Sequence, residues 1–301
     1  MTELSQTILS TYQIRKTQKQ KTEFIRLLQK YFPDLEIQSK GKTRNLIVGD
    51  VENASVVFSA HYDTGARLLF PHFIAPKSPV LSVLYSLVSL LPAALGVLAV
   101  NLLLYVFRAD FLTHYLASMV VACGLVCLKY MGPANRHNAN DNTSGVITLC
   151  ELMINLSASE KRKAAFVFFD REETGLQGSS LFYRRYRHIM KDKLLVNFDC
   201  VSDGDHIMVA ATKDARKKYT KELDKSFSAT KQKSILQVYA EKVYYPSDHR
   251  NFPCSVVIGS LHHKPIIGYY LSRVHTPRDT VMDKSNIKLL CDSMLKLLKK
   301  L

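Results

Sequence analysis

At 301 residues the chain can hold one large α/β domain or two small ones, and strand-like motifs spread over its whole length point to one. Lys plus Arg number 41 against 26 Asp plus Glu, a net charge of +15, but no stacking aromatics interleave with the basic runs at 16–21, 213–221 and 296–300. Nucleic acid is therefore excluded as a partner, and the charge belongs to a solvated surface or faces an anionic membrane.

The six cysteines (Cys123, Cys127, Cys150, Cys200, Cys254 and Cys291) have no zinc-knuckle spacing and fall mostly in apolar runs. They read as buried reduced thiols of a cytoplasmic protein. The opening MTELSQTILSTYQIRK lacks the charged start and apolar core of a secretory signal.

In chain order, Ile8, Tyr12, Phe24, Leu27, Leu28 and Tyr31 recur at helical spacing, which predicts one or two amphipathic helices over 3–31, ended by Pro33. Strands follow at Leu35–Ile37, Asn45–Val48 and Ser55–Ala60, with GDVENA as a turn, and deliver the chain to His61. Residues 79–107 carry no charge over more than the roughly 20 residues needed to cross a bilayer. A second uncharged run, 111–128, follows a short polar turn at Arg108–Asp110.

Together these two runs predict a transmembrane helical hairpin inserted at 68–131, with Pro92 and Gly96 kinking its first helix. A soluble helical lid or an oligomer interface is the alternative. Arg67 and Lys77 precede the hairpin, and Lys129 and Arg136 follow it. The positive-inside rule then places the protein in the cell membrane with its main domain, 1–67 and 132–301, facing the cytoplasm.

Downstream, helices are expected over 150–156 and 179–190 and at the C-terminus. Strand-like runs recur at 164–169, 194–198, 206–211, 234–240, 254–260 and 266–271. This alternation predicts an α/β fold, a mixed and mostly parallel central sheet flanked by helices, with its site at one edge of the strands.

Five stretches put an Asp, Glu or His at or beyond the end of such a strand: VVFSAHYDT (56–64), NANDNTSG (138–145), DREETGLQGS (170–179), LLVNFDCVSDGD (194–205) and RVHTPRDT (273–280). In DREETGLQGS, Glu172 and Glu173 follow the apolar run AAFVFF. Their side chains point in different directions, so one can bind a metal while the other moves protons. Taken singly, each has an ordinary reading: a solvated pair of glutamates, a structural histidine, or a turn and helix cap at Asp141. His262, His263, Asp203, Asp205 and His206 read as surface-loop residues.

The order His-x-Asp, Asp-Asn-x-Ser-Gly, Glu-Glu, Asn-x-Asp and His-Thr-Pro-x-Asp-Thr resembles the M28 family of dinuclear zinc aminopeptidases, over roughly 20–70 and 132–300. The resemblance implies a zinc-dependent exopeptidase fold and two Zn²⁺ per chain. His61 and Asp199 would hold one ion and Glu173 and His275 the other, with Asp141 bridging. It makes Glu172 the general base, Asp63 the carboxylate that orients His61, and Asp248 and His249 residues beside the substrate. The implied partners are a peptide with a free N-terminus and, through the hairpin, the lipid bilayer.

Two other functions stay open. A glutaminyl cyclase-like acyltransferase would use one zinc, but such cyclases carry Trp before the last His, where this chain has Val274 and no Trp anywhere. A non-catalytic binding scaffold of the same fold would ordinarily lack ligands, and none is missing. The sequence specifies no oligomeric state and no side-chain preference.

Overall fold

The computed structural model describes residues 1–68 and 72–301, excluding the side chains of residues 126 and 128–131. The expected insertion at 68–131 thus includes three residues, 69–71, outside the described ones. So are the side chains of Leu128, where the second hairpin run was expected to end, and Lys129, one of the flanking charges.

Helices α1 (Glu3–Thr11) and α2 (Gln18–Tyr31) open the chain, and Thr17 caps α2 reciprocally with Gln20. Leu4, Ile8, Phe24 and Leu28 turn into the core. Strands β1 (Glu36–Lys40), β2 (Thr43–Val48) and β3 (Val56–His61) lead to α3 (Pro79–Val88), α4 (Leu91–Val106) and α5 (Phe111–Met131). After these come α6 (Gly145–Asn155), α7 (Ala158–Lys161), β4 (Ala164–Phe169), α8 (Gln177–Met190), β5 (Leu194–Phe198) and β6 (His206–Ala211). The chain finishes with α9 (Lys213–Ser226), β7 (Ser234–Tyr239), β8 (Ser255–Lys264), β9 (Gly268–Tyr270) and α10 (Lys284–Leu298).

One mixed sheet runs β1-β2-β4-β3-β5-β8-β6-β7, with β9 pairing β8. Its middle, β4-β3-β5-β8, is parallel. The antiparallel pairings β1-β2, β2-β4 and β6-β8 lie to either side. Both faces of the parallel part are covered, so its strands read as unbroken apolar runs. Alternation still sorts the side chains: Ala164, Phe166 and Phe168 of β4 join the core beneath α1, α2, α6 and α10, while Ala165, Val167 and Phe169 join the one beneath α8.

Helix α9 was not expected, because its sequence is a basic run. It forms because Thr212 caps it and Ala215 and Leu223 supply a narrow buried stripe.

Helices α3 to α5 project from this body, and among their described residues the large apolar side chains are mostly exposed. Pro79–Val106 is one stretch long and apolar enough to cross a membrane, whereas the described apolar part of α5, Phe111–Leu125, is shorter. The break falls at Ser89–Leu90, just before Pro92, which sits in the first turn of α4 where proline is tolerated. Gly96 is no kink. It lets α4 lie close to α5, where a Cβ would meet Leu125 at 3.0 Å and Val121 at 3.2 Å.

Between the two helices, Asn101 donates to Ser118 at 2.7 Å and its side-chain oxygen lies 2.6 Å from His114 Nδ1, so the polar groups satisfy one another. Cys123 and Cys127 are exposed on α5, contrary to their reading as buried thiols, on a helix whose described large apolar side chains are mostly exposed as well. Cys150, Cys200 and Cys254 are buried as expected.

Candidate metal centre

Because β3, β4 and β5 run parallel, their carboxyl ends meet at one edge. His61 is the last residue of β3, and Asp199 follows β5 directly. Glu172 and Glu173 lie not at the end of β4 but in the turn beyond it, after Arg171 at a positive φ of 59°. Asp141 comes from the loop Ala139–Ser144 in front of α6, and His275 from the loop after β9, itself at φ 61°. Left-handed backbone at Arg171, Cys200 and His275 brackets the site with strained turns.

Five side chains from distant parts of the chain converge there. His61 Nε2 lies 3.4 Å from Asp141 Oδ1 and 3.8 Å from Asp199 Oδ1. His275 Nε2 lies 3.1 Å from the other oxygen, Asp141 Oδ2, and 3.3 Å from Glu173 Oε2. Each of the two triads offers donor atoms that all fall within 4.8 Å of one another. A tetrahedron of ~2.1 Å zinc bonds has edges of about 3.4 Å, so the spacing suits one zinc-sized ion per triad.

The donor chemistry fits as well. His61 Nδ1 lies 3.1 Å from the Asp63 carbonyl and His275 Nδ1 3.4 Å from that of Ala66, which leaves both Nε2 atoms facing the carboxylates. Burial would lower both imidazole pKa values, but the carboxylates outweigh it. Glu172, Asp141 and Asp199 hold His61 well above its ordinary value, and Glu173 and Asp141 push His275 up to about 10. Burial raises Glu173 to about 7 despite His275, and raises Glu172 well above the carboxylate range. Asp141 resists its burial and stays below the range, held down by His275 and His61. Buried carboxylates that pull two histidines into the charged form are short of positive charge, which bound cations would supply.

Several supports were not legible as such in the sequence. Asp279, at the end of the His-Thr-Pro-x-Asp-Thr motif, accepts the backbone N–H groups of Asn140 at 2.7 Å and Asp141 at 3.1 Å. Asn140 Oδ1 accepts from Ser202 and Asp203, and Asn142 bonds Phe198 and Cys200, so the Asp141 and Asp199 loops are laced together. Gly65 touches the centre: a Cβ there would meet His275 Cε1 at 2.5 Å and Glu173 Oε1 at 2.8 Å. Arg15 is fully buried beneath it, donating to the carbonyls of Tyr62 and Tyr12 and to Thr143 Oγ1.

The expected role of Asp63 is refined. Its carbonyl holds His61, while its carboxylate, 3.7 Å from the same ring nitrogen, accepts the backbone N–H groups of Glu172 at 3.0 Å and Glu173 at 3.3 Å. Asp63 therefore fixes the glutamate turn as well as the imidazole.

The centre lines a cleft of about 1500 Å³, and Glu172 faces into it. Asp248 and His249, expected beside the substrate, do not. Both are buried in the turn Asp248–Asn251, and the residues of that segment that reach the cleft are Tyr244, Tyr245 and Pro246. Nor do all the residues read as surface loops hold to that reading: His262 and His263 lie on β8, and Asp203, though in the loop between β5 and β6, is not at the surface. Asp203 is buried and lies 2.9 Å from His262 Nε2 on β8, while His206 starts β6.

The family model of peptidase family M28 matches residues 126–298, more than half of the chain. No curated protein matches the sequence. Among solved structures, a Zn-dependent exopeptidase from Parabacteroides distasonis superposes with a TM-score of 0.58 at 15% identity, covering 98% of this chain and 94% of that one. The LapA aminopeptidase of Legionella pneumophila gives 0.56 at 14% identity, over 98% and 69% of the two chains. Porphyromonas gingivalis glutaminyl cyclase gives 0.55 at 15%, over 99% and 97%. At such identities these likenesses carry the fold, a mixed α/β sheet flanked by helices. The family match carries the assignment: the chain belongs to peptidase family M28.

Proposed function

We propose that the protein is a zinc aminopeptidase holding two ions per chain and removing N-terminal residues from peptides. The observation that carries this reading is Asp141, which presents one oxygen to His61 and the other to His275. His61 and Asp199 would complete one site, Glu173 and His275 the other. Zinc bound there would polarise the scissile carbonyl and make a nearby water more acidic.

Glu172, which is in neither triad, is the proton carrier. As a carboxylate it accepts a proton from the attacking water, whose oxygen forms the new bond to the carbonyl carbon. As an acid it delivers that proton to the leaving nitrogen when the C–N bond breaks. Ions held there would also offer a place to the lone pair of the substrate's terminal amine in its neutral form, which would select for a free N-terminus.

The same reading assigns 1–67 and 132–301 to the catalytic domain and 68–131 to a membrane anchor, with the catalytic domain at the cytoplasmic face. It expects the protein in the membrane fraction, resistant to high salt; full solubility without detergent would remove the anchor. The activity is tested with a panel of aminoacyl-coumarins, with and without a chelator. Chelator-sensitive hydrolysis, abolished in Glu172→Ala with zinc retained, supports the proposal. A zinc-loaded protein that hydrolyses no unblocked substrate contradicts it.

A glutaminyl cyclase-like reaction is the second reading, favoured by a structural likeness as extensive as that to the peptidases. The complete His61–Asp141–Asp199 triad weighs against it, since such a reaction needs only one ion.

A further inference from the structure

The cleft that holds the metal centre does not end at the catalytic domain. Its far wall is built from the hairpin: Tyr85 of α3, Leu90, Pro92 and Ala93 at the break between α3 and α4, and Leu125 of α5, with Phe73 at the hairpin's foot. Phe73 lies 4.9 Å from the Tyr85 ring and stacks on Tyr270 of β9 at 5.8 Å, so the apolar wall is continuous with the sheet.

The foot is also fastened to the strand of chain that carries His275. Leu68 donates to the His275 carbonyl at 2.9 Å and His72 to that of Val274 at 3.2 Å. Ile74 and Leu271 exchange backbone bonds at 3.0 and 2.8 Å, and Tyr244 donates to Pro76 at 2.8 Å. These backbone bonds hold the foot of the hairpin beside a candidate ligand.

The two ends of the cleft differ in chemistry. Beside the domain the cleft is lined by carboxylates, imidazoles and basic side chains such as Arg67, Arg171 and Arg273, whereas the part contributed by the hairpin is aromatic and aliphatic, with Ser86 and Ser89 as the hydroxyls at the bend. A substrate whose N-terminus lies at the metal centre has its following residues along the rest of the cleft, where the hairpin supplies the wall. Polar side chains placed there would lose water with few partners to replace it, whereas apolar ones gain by leaving water.

We propose that the hairpin wall is the enzyme's specificity surface and that its substrates are peptides whose residues after the scissile bond are apolar, reaching the cleft at the membrane surface. Val83, Leu84 and Leu87 on α3 are more than half exposed. They place the outer side of that wall in lipid, so an apolar segment moves from the bilayer to the cleft without crossing open water.

This inference rests on the aminopeptidase reading, and its test separates the two. The full-length protein, zinc-loaded and reconstituted in phosphatidylcholine–phosphatidylglycerol vesicles, is assayed on an alanyl-coumarin reference and on two peptides that both begin with Ala. One peptide continues with Leu and Val, the other with Ser and Gln. The expected result is a kcat/KM at least about tenfold higher for the apolar peptide, with the difference in KM. Leu90→Asp and the milder Leu90→Asn should narrow that ratio toward one.

Hydrolysis of the reference with equal rates on both peptides, or a preference for the polar one, overturns this inference alone. A ratio unchanged in both Leu90 variants overturns it too. Failure to hydrolyse the reference overturns the aminopeptidase reading, and the inference with it. The comparison of peptides on the unaltered protein needs no variant, so a variant that fails to fold does not blunt the test.

Discussion

Asp279 accepts the backbone N–H of Asp141 at 3.1 Å, so the carboxylate that faces both imidazoles is aimed by a second carboxylate behind it. Asp279→Ala removes that acceptor, and the bond to Asn140, without touching a donor atom of either triad. Zinc affinity, measured by competition with a chromophoric chelator, should fall about 10–100-fold while the fold is kept. Unchanged affinity would mean that the Asn140 and Asn142 contacts aim the loop unaided.

Gly65 tests the geometry of one triad separately. A methyl group there would overlap His275 and Glu173, to which the three nearest atoms belong. Gly65→Ala should therefore weaken the Glu173–His275 side first, moving zinc content from two ions per chain toward one. Turnover should drop by about 100-fold, the usual cost of a displacement near 1 Å at a reacting centre. Equal loss of both ions would show that the sites fill only together.

Arg15 is a buried cation that bonds main-chain carbonyls rather than a carboxylate. Burial lowers its pKa to about 10, against the pull of Asp63 and Asp141. Arg15→Met keeps the volume but strands the carbonyls of Tyr62 and Tyr12. It should cost about 3 kcal/mol of stability, read from denaturant midpoints. A loss under about 1 kcal/mol would mean that water replaces the guanidinium.

His249 gives a pH dependence with a definite sign. Burial lowers its pKa from the ordinary 6.5 to about 3. On acidification the unfolded chain takes up this proton first, so stability is complete above pH ~6.5 and declines as pH falls toward 3. The slope reaches at most about 1.4 kcal/mol per pH unit. His249→Gln, although less stable at neutral pH, should lose roughly 2 kcal/mol less than the parent between neutral pH and about pH 4.5. Parallel stability curves for the two proteins would contradict this.

The strands, and His61 and Asp199 as polar residues where strands end, were readable in the sequence because each effect is local, whereas the grouping of all five candidate ligands came from the motif order that resembles the M28 family. A buried parallel strand is a short apolar run, and a ligand at its carboxyl end is the next polar residue, as with His61 and Asp199. Glu172 and Glu173 were legible as a pair, but their turn was not, since Asp63 fixes it from 109 residues away. Arg15 sat unnoticed in an amphipathic N-terminal stretch because its partners are main-chain carbonyls, which have no sequence signature. Asp248 and His249 had the right identities for substrate contact, but a turn buries them.

The central claim is that one carboxylate, Asp141, serves two metal sites at once. Equilibrium zinc titration of the metal-free protein, alongside Asp141→Asn, measures it directly. The parent should bind two ions per chain, and the single substitution should severely weaken both sites. One ion per chain in the parent, or a variant that still holds two with unaltered affinity, would contradict it.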